Sequence, residues 1–400
     1  MLNEKKIAFI ACVNDDMYFN ECIFYINQLI VPKGYEIEII SIRDADSMCS
    51  AYNAGMKGSD AKYKIYLHQD VFIRNKNFLS DILSIFNRDS SIGMIGMIGG
   101  NDTPVMGTWN VGIVDVRNPA VAYYLCGKRE WNGSDVKVEA VDGILIATQY
   151  DLPWREDLFT HFDFYDFSQS FEMRKAGYKV VVPYQKEPWV VHDCGFAKLK
   201  YYNEERDICK KEYPELFYYE YDEGSGYDDE WNKLISEMSV KIKELISNGQ
   251  WQEVRKILTA YDGIDKKLKG LNSDMTRLGV ISEIYEKEHQ ADVKHYFFEP
   301  GMTYQQIYEK YIKTRFLLRR MELDMGENTY SSLTQDLLDE RISLQALFVF
   351  IIHTIHYREE LLQKLIDLYS SVGNDNCVNR LKTFETDTLK NFPPVVYESK

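Results

Sequence analysis

The pattern of hydrophobic positions divides the chain into two parts with different periodicity. Over the first 200 residues, short apolar runs typical of strands alternate with segments of helical periodicity. The strand-like runs occupy 6–13, 36–42 and 62–67, and the helical segments between them occupy 18–30 and 48–59. This β-α-β-α-β order predicts a parallel sheet covered by helices, with ligands bound at the carboxyl ends of its strands.

The alternation continues with a predicted helix at 77–87, an apolar strand at 92–100 and a strand–turn–strand segment at 136–149. A further helix is predicted at 166–178, where Gly177 is placed to end it. The sequence then changes character at an acidic stretch, and beyond it nearly every segment has helical periodicity. We therefore expect a boundary near residue 225, between an α/β domain over 1–225 and an all-helical domain over 226–400.

Composition narrows the class of protein. With 45% hydrophobic and 14% aromatic residues, the 400-residue chain is globular and long enough for two domains. Its 47 basic and 62 acidic side chains give a net charge of −15, which disfavours nucleic acid and anionic membranes as partners. The seven cysteines form no C-x-x-C pair, and no apolar run has the length of a membrane span or a signal peptide. We expect a cytoplasmic protein with reduced thiols and no membrane span.

Polar side chains follow the predicted strands at the point where each strand ends. Asn14, Asp44 and Asp70 occupy these places, and the segment AKYKIYLHQDVFI (61–73) runs from an apolar strand straight into HQD. Mn²⁺ and Mg²⁺ favour carboxylate oxygens, and Mn²⁺ also accepts imidazole. His68 and Asp70 are therefore candidate ligands of a divalent metal, and the alternative is a strand end capped by polar residues.

A set of segments in a fixed order resembles a known family. The segments are FIACVNDDMY, SAYNAGMKGSDAKYKIYLHQDVFI, VDGILIAT, FDFYDFSQSFEMRKAGYKVVVP and WVVHDCG. Together they resemble family-2 inverting glycosyltransferases, in the branch related to streptomycin-biosynthesis glycosyltransferase domains and to bacterial enzymes that extend glycans on adhesins. The resemblance covers about half of the chain. It implies a GT-A fold, a Rossmann-like mixed sheet with flanking helices, and transfer of a hexose from a UDP-sugar to a hydroxyl acceptor.

The resemblance also implies which residues bind the donor. Val13, Asn14 and Asp44 fill the places that hold the nucleotide base and ribose in the family, and Asp70 lies beside the diphosphate. The segment AYNAG matches the family's A-x-N-x-G helix, which makes Asn53 a candidate donor contact. The alternative is that the small residues of this segment only permit close packing of helix and sheet.

The metal site of the family is matched only in part. The family's D-x-D motif is replaced by HQD, so that Asp70 matches the second aspartate and His68 stands in the first place. His192, in VVHDCG, matches a histidine that completes the metal shell in many GT-A enzymes. The resemblance therefore implies that these three residues bind Mn²⁺ or Mg²⁺. The departure from D-x-D leaves open which metal binds and whether a metal is required.

Inverting transfer needs one general base to take the proton from the acceptor hydroxyl. The family places this aspartate at the start of a helix, which Asp166 matches, with Asp163 as the reserve; the alternative for Asp166 is a helix N-cap. Asp142, in VDG, resembles the acceptor-side aspartate of the family. Trp154 lies in a loop where an acceptor sugar could stack, as do Trp109 and Trp131, although core packing is the alternative for each.

The partners implied are a nucleotide sugar and a glycan or glycoprotein acceptor, and the helical domain would bind the acceptor or support a homodimer. Two other functions remain open at this stage. A nucleotidyltransferase of the same fold would need a Gly-rich basic loop where VNDDMY stands, which disfavours it. A non-catalytic carbohydrate-binding or scaffolding protein, in which HQD holds no metal, is compatible with the composition.

Overall fold

The computed structural model describes residues 2–100, 109–117, 122–126, 133–193, 200–216, 229–262, 273–291, 293–391 and 395–398. Trp131 and the expected boundary near residue 225 lie outside these ranges. Within these ranges no helix is both long and apolar enough to cross a membrane.

The strands of the described part include those predicted at 6–13, 36–42, 62–67, 92–100 and 136–149, together with others that the sequence did not predict, among them two at 111–117 and 122–126. They are β1 (Asn3–Val13), β2 (Glu36–Arg43), β3 (Ala61–His68), β4 (Val71–Ile73), β5 (Ile92–Gly96), β6 (Ile98–Gly100), β7 (Val111–Arg117), β8 (Ala122–Cys126), β9 (Val136–Val138), β10 (Ala140–Val141), β11 (Leu145–Thr148), β12 (Lys179–Val182), β13 (Val190–His192) and β14 (Val395–Glu398).

The helices lie between these strands and then fill the C-terminal part. They are α1 (Asp16–Ile26), α2 (Met48–Lys57), α3 (Phe78–Arg88), α4 (Tyr165–Lys175), α5 (Tyr202–Glu212), α6 (Asp229–Ser247), α7 (Trp251–Asp262), α8 (Ser273–His289), α9 (Tyr304–Glu322), α10 (Ser331–Leu338), α11 (Leu344–Thr354), α12 (Arg358–Ser371) and α13 (Asp375–Asp387).

The main sheet has the strand order β2-β1-β3-β11-β5-β12-β9. β1 pairs in parallel with β2 and β3, and β11 then runs antiparallel to both β3 and β5, so the sheet is mixed. β1 carries a continuous buried run, Ile7–Ala11, as expected for a strand covered by helices on both faces. The predicted fold class, a mixed α/β N-terminal region followed by a mainly helical region, is confirmed.

Two glycines explain local features of this region. Gly55 lets α2 pack closely on the sheet, because a Cβ there would lie 2.3 Å from Cγ2 of Ile10. Gly177 has a φ of 89° and follows α4, which ends where the sequence predicted. Gly55 therefore has the packing role that was considered for the small residues of this segment, whereas Ala54 is exposed.

A second set of strands lies beside the main sheet, in the order β10-β6-β7-β13-β4. β7 also pairs with β8, and β8 pairs in parallel with β14 at the end of the chain. The prediction of an all-helical C-terminal part is therefore wrong for Val395–Glu398, which return to the strands of the N-terminal region.

The helical region packs on the strands through α9. Phe316 of α9 contacts Tyr18 of α1 and Phe72 of β4, with edge-to-face rings whose centroids are 5.3 and 5.8 Å apart. Buried ion pairs add to this contact, among them Arg117 of β7 with Glu322 at 2.8 Å. α9 therefore lies directly behind the strands that end at the candidate site.

Candidate active site

The carboxyl ends of the parallel strands bring together the residues predicted to bind the donor. β1 and β2 are in register with Val13 opposite Arg43, so Asn14 and Asp44 both follow at the same edge of the sheet. Val13 is buried, whereas Asn14 and Asp44 are exposed. Asp44 has a φ of 55°, a conformation that non-glycine residues adopt mainly in turns and at functional sites. This edge is open to a ligand, and a nucleotide there stays a prediction.

His68, Asp70 and His192, called the ligand cluster below, lie together at this edge. β3 ends at His68, and β4 pairs antiparallel with β13 so that Val71 lies opposite His192. One possible ligand atom from each member of the cluster lies within 4.8 Å of the others. His192 Nε2 is 3.5 Å from Asp70 Oδ1, and the two imidazole rings are 5.5 Å apart. The three side chains are close enough to bind one ion.

The electrostatics of the ligand cluster favour the protonation states that bind a cation. Burial and the neighbouring His192 lower the pKa of His68, which favours the neutral form of its imidazole. Burial by itself would raise the pKa of Asp70, but His192 and His68 together outweigh it and the pKa is lowered. A neutral imidazole and an ionised carboxylate are the forms that coordinate metal.

Tyr165 joins the ligand cluster to α4. Its hydroxyl oxygen lies 2.5 Å from Nε2 of His68. Gly143 permits this position, because a Cβ there would lie 2.0 Å from the same oxygen. A histidine that binds metal is usually oriented by a hydrogen bond at its second ring nitrogen. Tyr165 is placed to orient His68, a role that the sequence did not indicate because the partners are far apart along the chain.

Gln69, the middle residue of HQD, also has a role that the sequence did not predict. Its Oε1 accepts hydrogen bonds from the backbone N–H groups of Asn14 and Asp15, each at 2.9 Å. Its Nε2 donates to Oδ1 of Asn14 at 2.5 Å. The parallel pairing of β1 and β3 brings these two strand ends side by side. Gln69 therefore fixes the loop after β1 against the HQD turn.

Asp166, the candidate base, lies in the first turn of α4. The N-cap of this helix is Phe164, with a φ of 54° and no side-chain cap bond, so Asp166 is not the N-cap that was the alternative. Its Oδ2 accepts the N–H of Gly143 at 2.8 Å, and its Oδ1 accepts the N–H of Phe167 at 2.8 Å. These bonds hold the carboxylate beside the segment that carries Asp142.

The surroundings of Asp166 make it more basic than an ordinary carboxylate. Burial and the negative charge of Asp142 raise the pKa of Asp166 to about 8, although its backbone hydrogen bonds act in the opposite direction. A group that titrates near neutral pH is suited to general-base chemistry. Asp163 is half-buried, and burial raises its pKa as well. Buried Glu205 fixes the loop at Asp163 by accepting its backbone N–H at 2.9 Å.

Asn53 and Trp154 bond to each other inside the protein. The side-chain amide of Asn53 donates to the backbone carbonyl of Trp154 at 2.8 Å and accepts its N–H at 2.9 Å. Both residues are 2% exposed, and the Trp154 ring packs against Tyr52 and Tyr66. Trp109 is likewise buried. This burial argues against direct donor contact by Asn53 and sugar stacking by Trp154, and favours the packing alternative.

The candidate site residues lie within a segment that matches a known protein family. A family model described as "Glycosyltransferase like family" matches residues 8–213, slightly more than half of the chain. The match includes the ligand cluster, the predicted donor-side residues and Asp166. The streptomycin biosynthesis protein StrF of Streptomyces griseus is 33% identical over 147 residues, which are 35% of this chain and 49% of StrF. The chain thus spans about half the length of this curated relative.

Among solved structures, the crystal structure of S. aureus TarS 1–349 aligns with 95% of this chain and 91% of its own, at 11% identity and a TM-score of 0.32. Its complex with UDP-GlcNAc aligns over the same shares at 10% identity and a TM-score of 0.31. Similarity at this level supports no conclusion about this chain, whose fold is established by its own sheet topology. The family match over residues 8–213 is by itself sufficient to assign the family, and the chain belongs to this glycosyltransferase-like family.

Proposed function

We propose that the chain is an inverting glycosyltransferase that moves a hexose from a UDP-sugar to a hydroxyl acceptor, such as a glycan on a protein. Membership of the glycosyltransferase-like family supports sugar transfer. The observation that carries the proposal is the convergence of His68, Asp70 and His192 within 4.8 Å. This cluster lies at the same edge of the sheet as the exposed Asn14 and Asp44. A metal bound by the cluster would therefore lie next to the diphosphate of a donor whose nucleotide lies near those two residues.

A divalent metal fits this cluster. Two imidazoles and one carboxylate suit Mn²⁺, and Mg²⁺ is the alternative that relies more on oxygen ligands. His68, Asp70 and His192 would hold the ion, with Tyr165 orienting His68. When bound, the ion offsets the charge that develops on the departing diphosphate.

Asp166 would act as the general base. It accepts the proton of the acceptor hydroxyl on one carboxylate oxygen while the hydroxyl oxygen attacks the anomeric carbon. Its raised pKa of about 8 supports this role, because it strengthens the carboxylate as a base. Asp142 contributes by its charge and would lie on the acceptor side, and Asp163 is the reserve for the base.

We propose different roles for the two parts of the chain. The catalytic domain would occupy 1–225, in agreement with a family match that ends at residue 213. The mainly helical domain over 226–400 would bind the acceptor or form a homodimer.

Nucleotide release from a panel of UDP- and GDP-sugars, with Mn²⁺ and with EDTA, tests the proposal. The wild type is expected to turn over at least one donor, and EDTA or Asp70→Asn to abolish that turnover. Asp166→Asn should still bind UDP but lose transfer to an acceptor. Asp207→Asn, at an exposed position on α5, is the matched control and should behave as wild type. Sugar-nucleotide binding without turnover on any acceptor would instead identify a non-catalytic carbohydrate-binding or scaffolding protein.

A further inference from the structure

The residue after His192 links the ligand cluster to the helical region. Asp193 directly follows the last residue of β13, and its carboxylate faces α9. On that side Arg315 and Arg319 of α9 donate to its two oxygens, Arg319 Nη2 to Oδ2 at 2.9 Å and Arg315 Nη2 to Oδ1. All three side chains are at most 1% exposed. Asp193 is therefore clamped from the helical region in a fully buried site.

The same clamp reaches the other strand of the cluster. The backbone N–H of Asp193 donates to the carbonyl oxygen of Asp70 at 2.8 Å. The guanidinium of Arg319 lies over the ring of Phe72, 5.1 Å from its centroid. Phe72 belongs to β4, which begins one residue after Asp70. α9 therefore holds both segments that supply ligands, the HQD turn and the end of β13.

We infer that Arg315 and Arg319 are positioning residues, through which α9 fixes Asp70 and His192 for metal binding. The inference rests on the proposed function, because it assigns the helical region a part in the same metal site. α9 lies outside residues 8–213, so the family match does not include this clamp. The chemical class of the ligand is a divalent cation held together with a nucleoside diphosphate.

The charges of the clamp decide which substitution is informative. Two guanidinium groups face one carboxylate, so removal of one arginine leaves a neutral buried pair. Removal of Asp193 would instead leave two buried cations facing each other, which is strongly destabilising. Arg319→Met keeps most of the side-chain volume and is therefore the variant expected to fold. Arg319→Lys keeps the charge but presents it as a point instead of a planar fork.

A matched control is available one residue along the same helix. Arg320 also pairs with a buried carboxylate of the N-terminal region, Glu21 of α1, but it does not contact Asp193. Arg320→Met leaves that carboxylate unpaired, so it should lower the unfolding temperature without changing the ligand cluster. Comparing the Arg319 and Arg320 variants therefore distinguishes a loss of metal affinity caused by breaking the Asp193 clamp from one caused by a general loss of stability.

The test is Mn²⁺ binding to the full chain, followed by the electron paramagnetic resonance signal of free Mn²⁺, with and without UDP. Arg319→Met is expected to lose about 10- to 100-fold in Mn²⁺ affinity, as for other residues that orient metal ligands. Arg319→Lys should lie between it and the wild type, and Arg320→Met should bind Mn²⁺ as the wild type does. UDP binding in EDTA should be the same in all four proteins.

Wild-type Mn²⁺ affinity in Arg319→Met would overturn the inference and leave the proposed function standing. Equal losses in Arg319→Met and Arg320→Met would overturn it too, because the effect would then follow stability. A wild type that binds no Mn²⁺ even with UDP would overturn the metal in the proposed function, and the inference with it. If Arg319→Met does not fold, Arg319→Lys carries the comparison with the same expected direction.

Discussion

Replacing Tyr165 by phenylalanine removes the oxygen that joins the ligand cluster to α4. This oxygen is 2.5 Å from Nε2 of His68, whose side chain is half-buried. The lost hydrogen bond should lower the free energy of unfolding by about 1 kcal/mol, since the imidazole is not fully shielded from water. A His68 ring that is no longer oriented should also bind metal about 10- to 100-fold more weakly. Urea unfolding measures the first effect, and Mn²⁺ titration in the presence of UDP measures the second.

Tyr52→Phe is the matched control for this experiment. Tyr52 is buried in the same aromatic cluster, with its ring centroid 5.9 Å from that of Tyr165. Its hydroxyl has no hydrogen-bond partner among the residues that the structure describes. Removing it should leave both stability and metal affinity unchanged or slightly improved. The reasoning is refuted if Tyr165→Phe and Tyr52→Phe give the same stability and the same Mn²⁺ affinity.

Three further predictions concern the site and the sheet beneath it. Gln69→Ala removes the bonds that fix the loop after β1 and should weaken UDP binding by about tenfold in calorimetry; an unchanged Kd would contradict this. Transfer should increase as the pH rises through about 8, because Asp166 must lose its proton to act as base. Asp142→Asn removes a negative charge and should move that rise to lower pH, so an unmoved profile would count against the coupling. Gly55→Ala places a Cβ 2.3 Å from Cγ2 of Ile10. The overpacking should cost about 1–3 kcal/mol and outweigh the gain of about 1 kcal/mol in helix propensity, so urea unfolding should show a less stable protein. A more stable variant would disprove the close packing.

The parts of the fold that follow from local patterns were predictable. The buried run of β1 and the helical periodicity of α2 are visible in the sequence because each depends on neighbouring residues. The polar residues after β1, β2 and β3 could be placed at one edge, since parallel strands end on the same side. That reasoning placed Asn14, Asp44 and Asp70 at one edge, whereas His192 was assigned to the metal site only by the resemblance to family-2 glycosyltransferases.

The parts that depend on contacts between distant residues were not predictable. Tyr165 and His68 are 97 positions apart, and Arg315 is 122 positions from Asp193, so no local pattern indicates either contact. The burial of Trp154 follows from packing against aromatic rings on α2, β3 and α4, which a loop-like sequence does not reveal. The strand Val395–Glu398 was missed because four residues after a long helical region carry too little periodicity.

The most direct test of the central claim is the anomalous diffraction of a crystal grown with Mn²⁺ and UDP, collected at the manganese absorption edge. The account predicts one strong peak within coordination distance of Asp70 and of His192 or His68, with the diphosphate on its other side and the base near Asn14 and Asp44. A peak elsewhere, or UDP bound at this edge with no peak beside the ligand cluster, would contradict the account.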